Sequence, residues 1–106
     1  MADLSITHLF AGIPVSDHES AVAWYERLLG RPPDVEPHER ESMWHVVGSG
    51  SVYVVEDAER AGRALVTLAV ADLSNHPTEP GPGGMPTTVL DDPDGNRIKL
   101  FEDPSA

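Results

Sequence analysis

The chain has 106 residues, 18 of them acidic and 7 basic, with a formal net charge of −11 and no cysteine. That length supports one domain with one modest core. The charge argues against nucleic acid and anionic membranes as partners, and the missing thiols exclude disulfides, a thiolate nucleophile and cysteine-ligated metal. Met1-Ala2-Asp3 opens without a basic region or an apolar run, and no stretch is apolar for long enough to span a bilayer, so a cytoplasmic protein is expected.

Ile6 to Val15 reads as the first strand. Leu9, Ala11, Ile13 and Val15 fall on one face, and His8, Phe10, Gly12 and Pro14 on the other. A helix is predicted over Asp17 to Leu29, with Ser16 as its cap and Glu19 at capping-box spacing. Its apolar positions are Val22, Tyr25 and Leu29, flanked by Ala21, Trp24 and Leu28. Gly30 is placed at its C-terminal cap, and Pro32-Pro33 prevent continuation. Three short strands are then predicted: a polar one over Asp34 to His38, one over Ser42 to Gly48, and one over Ser51 to Glu56. Gly48-Ser49-Gly50 makes the hairpin between the last two. Another strand reads from Arg63 to Ala71. The segment from Leu73 to Pro86 contains Pro77, Pro80, Pro82, Gly81, Gly83 and Gly84 and cannot sustain a helix. The chain closes with a turn, Asp91-Asp92-Pro93-Asp94-Gly95-Asn96, feeding a strand over Arg97 to Glu102. There Ile98 and Leu100 point one way, and Lys99 and Phe101 the other.

Two internal matches connect the halves. Val15-Ser16-Asp17 recurs as Val70-Ala71-Asp72, and Val54-Val55-Glu56-Asp57 as Leu100-Phe101-Glu102-Asp103. Together with Asp-Pro-Asp-Gly-Asn-Arg-Ile-x-Leu near the C-terminus, this pattern resembles the vicinal-oxygen-chelate superfamily. That group holds glyoxalase I, extradiol dioxygenases and bleomycin-resistance proteins. The resemblance implies an α+β fold of paired βαβββ modules. Module one covers about residues 6–57, and a shortened module two covers about 64–103, without its helix and with a strand in question.

In the superfamily, the first and last strands of each module surround a concave pocket, and metal enzymes draw one ligand from each. The resemblance puts Phe10, Tyr53, Leu65 and Lys99 at those four positions. None is a usual ligand for a divalent metal, and Lys99, the only lysine, stands where a metal-binding glutamate is typical. No cofactor is therefore expected. The implied ligand pocket is Phe10, Trp44, His45, Tyr53, Leu65, Lys99 and Phe101. Should a metal be bound after all, the candidate ligands are His8, His45 and Glu102. No His-x-His, His-Glu-x-x-His, nucleophile elbow, phosphate loop or dinucleotide fingerprint occurs.

Three functions follow as expectations. The first is a metal-free protein binding a small organic molecule, as bleomycin-resistance proteins do in dimer clefts. The second is a metal-dependent lyase, isomerase or dioxygenase, and the third a dimerisation module without a ligand. Whether the chain is an enzyme stays open at this point. A homodimer is expected because Val66, Leu68, Val70, Ile98 and Leu100 have no helix of their own module to cover them.

Overall fold

The computed structural model describes residues 4–103. Strand β1 (Leu9–Val15) enters helix α1 (His18–Leu29). Strands β2 (Val35–His38), β3 (Glu41–Val47) and β4 (Gly50–Glu56) follow, completing a four-stranded sheet of order β1-β4-β3-β2. The second half repeats that order in β5 (Leu65–Val70), β6 (Glu79–Pro80), β7 (Pro86–Asp91) and β8 (Arg97–Glu102), as β5-β8-β7-β6. In each sheet the first and last strands run parallel and the remaining pairs antiparallel.

The helix starts one residue later than its capping signal suggests. Asp17 is the N-cap, its side chain accepting from the Glu19 N–H. Ser16 instead turns its N–H and its hydroxyl proton to the Asp94 carboxylate. Gly30 closes the helix as expected, in left-handed geometry at φ 80° with its N–H on the Glu26 carbonyl at 2.8 Å. The first strand begins at Leu9 rather than Ile6. The Pro/Gly segment holds no α-helix. It holds the two-residue β6, so the strand in question survives as a vestige, and a 3-10 turn at Pro82–Gly84. Strand β7 carried no clear sequence signal.

Strand parity sorts every residue onto one of two faces. The inner faces of both sheets and one side of α1 meet in a single core: Ile13, Val15, Ala21, Tyr25, Trp44, Val52, Val54, Leu73, Ile98 and Leu100. Each large aliphatic side chain removed from water there contributes about 1.5–3 kcal/mol. The expectation that module two's inner face lies bare needs correction. Ile98 and Leu100 are buried, Leu73 folds back into the core, and Val66, Leu68 and Val70 are half-buried against it. With its own helix missing, the second sheet shares the first unit's helix.

The Asp91–Asn96 turn joins the halves. The buried Asp92 carboxylate accepts from the Tyr25 hydroxyl at 2.8 Å and from the Asp94 N–H, the Asn96 N–H and the Asn96 side-chain amide, each at 2.9 Å. Asn96, fully buried, also donates to the Pro14 carbonyl at 2.8 Å and accepts from the Ala64 N–H at 2.9 Å. One turn thereby holds β1, α1 and the entry to β5.

Candidate ligand-binding faces

Because the inner faces are packed together, the outer faces of the two sheets point away from each other. The register fills each of them in rows. On the first sheet, Phe10, Ser51 and His45 lie side by side, followed by Gly12, Tyr53 and Met43. On the second, the rows are Leu65–Arg97–Asp91, Thr67–Lys99–Val89 and Ala69–Phe101–Thr87. Phe10, His45 and Tyr53 thus share one face, and Leu65, Lys99 and Phe101 share another. Within one chain the two sets do not converge on a common pocket.

Trp44 departs from the expected lining. It is fully buried on the inner face, and its indole Nε1 donates to the Arg31 carbonyl at 2.9 Å. His45, the next residue, is exposed on the outer face. Adjacent strand residues point oppositely, so the two cannot line the same pocket.

The outer face of the first sheet carries a polar cluster. His8 Nε2 and His45 Nδ1 approach the Ser51 hydroxyl at 2.7 and 2.8 Å. Ser51 has one proton to give, so at least one imidazole must donate to it and the two tautomers are linked. Phe10 lies against the His8 ring at 4.3 Å between centroids. Tyr53 spreads across Gly12, where an added Cβ would stand 2.5 Å from the phenol oxygen. The backbone of His45 is fixed from the side, its N–H donating to Asp34 at 2.8 Å. That hydrogen bond, with the Arg31 guanidinium, holds the Asp34 carboxyl below the usual carboxylate range. Ser51 and Gly12 were not singled out from the sequence. Ser51 shares strand parity with Tyr53, but only the register reveals that two histidines flank it.

The alternative metal ligands are not assembled. Glu102 lies on the inner face of β8 and accepts from the Leu73 N–H at 2.9 Å, while His8 and His45 face outward in the other sheet. Among the described residues, no group of three or more histidines, aspartates or glutamates comes together to hold a metal. A phenyl, a phenol, an isobutyl group and an ammonium at Phe10, Tyr53, Leu65 and Lys99 do not form a donor set for a divalent cation.

One cavity was not anticipated. An open cleft of about 530 Å3 lies between the inner faces, lined by Ala11, Leu29, Val46, Val52, Val66 and Leu68 among others. Its walls are almost wholly aliphatic.

A crystal structure of a glyoxalase/bleomycin resistance protein from Catenulispora acidiphila DSM 44928 is similar to this chain with a TM-score of 0.85 and 36% identity, over 93% of this chain and 100% of that one. The chain belongs to the glyoxalase/bleomycin resistance family. Its two sheets are the paired modules of that α+β fold, the second without its helix. Two less similar structures share this glyoxalase/bleomycin resistance fold. One is a bleomycin-binding protein complexed with bleomycin, with a TM-score of 0.70 and 19% identity over 94% of this chain and 99% of that one. The other is TnmS3, an antibiotic binding protein from Streptomyces sp. CB03234, with a TM-score of 0.72 and 21% identity over 94% and 98%. No family model and no curated protein matches the sequence. No helix among the described residues is long and apolar enough to cross a membrane.

Proposed function

We propose that this member of the glyoxalase/bleomycin resistance family binds a small organic molecule without metal chemistry. The site is a cleft formed between two copies, where the outer face of one copy's first sheet meets the outer face of the other's second sheet. The observation that carries this reading is the exposure of large apolar side chains on both outer faces: Phe10 at 51%, Leu65 at 70% and Val89 at 48%. Strands β1 and β5, which border these faces, are both sheet edges with unpaired backbone groups, and such edges template pairing with another chain. The outer faces also combine apolar surface with a few polar groups, His8, His45, Ser51 and Tyr53 on one and Thr67 and Lys99 on the other. That mixture fixes a ligand's orientation. The aliphatic inner cleft lacks it.

The test pairs metal analysis of purified protein with a thermal-shift screen of small molecules that includes bleomycin. The expected result is no stoichiometric metal and at least one compound that raises the melting temperature by binding the native state alone. Close to one tightly held metal per chain, lost on substituting His8 or His45, would overturn the reading in favour of a metal-dependent lyase, isomerase or dioxygenase. A protein that dimerises yet responds to no compound would leave the dimerisation module.

A further inference from the structure

We propose that Lys99 selects the ligand's charge, so that the molecule bound on the outer face of the second sheet is an organic anion with an apolar body, such as an aryl carboxylate or sulfonate. This rests on the small-molecule reading above.

Lys99 emerges from β8, which has β5 on one side and β7 on the other, so its side chain rises from the middle of the face. Its cross-strand neighbours are Thr67 and Val89, neither of them charged. Along its own strand the same face carries Arg97 and Phe101, and Leu65 stands beside Arg97. Of the other charges on these three strands' outer face, Asp91 bonds Arg97 at 3.1 Å. Glu56, on the other sheet, and Glu102, on the opposite face of β8, are engaged elsewhere. Glu56 pairs with Arg40, and Glu102 accepts from Leu73. Glu79 on β6 lies two strands away, roughly 10 Å at ordinary strand spacing. The chain's only lysine is thus half-buried on the face that carries Leu65, Val89 and Phe101, with no carboxylate of the described residues within ion-pair distance, in a protein of net charge −11.

Acids outnumber bases heavily here, so an unpaired ammonium on an apolar face is not for want of partners. Covering that face with a neutral ligand or with protein strips water from the ammonium without replacing its hydrogen bonds. Covering it with an anion replaces them with charge-assisted ones, which are about twice as strong as neutral ones. The apolar body then lies over Leu65 and Phe101, removing their surface from water.

Two dyes that differ by one charged group test this: 8-anilinonaphthalene-1-sulfonate and its uncharged parent, N-phenyl-1-naphthylamine. Both are titrated by fluorescence into the full chain, into Lys99→Met and into Lys99→Arg, with circular dichroism confirming the folded state. The native protein should bind the sulfonate about tenfold or more tightly than the parent. Lys99→Met should abolish that preference by weakening sulfonate binding without weakening parent binding, and Lys99→Arg should retain it. Equal affinity for the two dyes in the native protein overturns the charge selection even if no variant folds, and leaves the small-molecule reading intact. A sulfonate preference untouched by Lys99→Met overturns the role of Lys99. Failure of both dyes to bind overturns both the inference and the reading beneath it.

Discussion

Tyr25 and Asp92 meet in a site from which water is excluded: the tyrosine is 1% exposed and the aspartate 5%. Burial, reinforced by the hydrogen bond to the Asp92 carboxylate, raises the Tyr25 phenol far above its ordinary value of 10.0. The consequence for stability has a definite sign. Below that value both folded and unfolded chains keep the proton, and the contribution is complete. Above it the unfolded chain ionises while the folded one does not, so stability falls as pH rises. The expected slope is up to about 1.4 kcal/mol per pH unit. Urea unfolding at a series of alkaline pH values should show this decline, and Tyr25→Phe should flatten it. At neutral pH, Tyr25→Phe removes one donor from Asp92 and leaves the three from Asp94 and Asn96. A cost of about 1–3 kcal/mol is expected, read from the same urea midpoints. The contact was invisible in the sequence, where Tyr25 was legible only as an apolar helix position and Asp92 only as a turn residue.

The connection into β5 passes under the Asp91–Asn96 turn at Gly62. Its φ of +88° favours glycine, and an added Cβ would stand 2.5 Å from the Asp94 carbonyl oxygen. Backbone on both sides leaves no flexible side chain to give way. Gly62→Ala should therefore cost about 1–3 kcal/mol through its backbone conformation alone, with the clash adding to it. Gly83 offers the control. It too has positive φ, +71°, but nothing lies within 4 Å of its added Cβ. Gly83→Ala should be the milder of the pair, and thermal melts of both variants check the order. The turn and β8 were legible because Pro93, Asp94, Gly95 and Asn96 carry local turn chemistry and Arg97–Glu102 alternates. Helix α1 was legible from its period and its Gly30 stop. The shift of its cap from Ser16 to Asp17 was not, because the competitor for Ser16 is Asp94, brought close only by the fold. Strand β7 was missed because Thr87 to Asp91 follows a Pro/Gly run and alternates weakly.

For the whole molecule the decisive quantity is the state of association. The case for a dimer no longer rests on a bare inner face, since α1 and Leu73 cover much of it. It rests on the outward apolar residues and the two edge strands. Sedimentation at low micromolar concentration should give a dimer. Leu65→Glu, which places a charge beside the β5 edge at a residue 70% exposed in the single chain, should shift it to monomer without loss of helix signal. A monomer in the unsubstituted protein would remove the two-copy cleft from the proposed function.

The sequence by itself determined the elements with local signals, the alternation of side chains along the strands it marked, and the poor metal-ligand chemistry of Phe10, Tyr53, Leu65 and Lys99. Periodicity, turn chemistry and ligand chemistry are properties of residues and their near neighbours, and they survive without coordinates. The sequence also put Trp44 and His45 in one pocket, because a short apolar-aromatic run hides which side is core; the structure buries Trp44 and exposes His45. The tertiary structure decided what depends on register and on contacts between distant segments. It brought His8 and His45 to Ser51, made Asn96 a bridge from the last turn to Pro14 and Ala64, and set the two candidate faces on opposite sides of one chain. Those outcomes follow from which strand edges pair and which faces meet in the shared core.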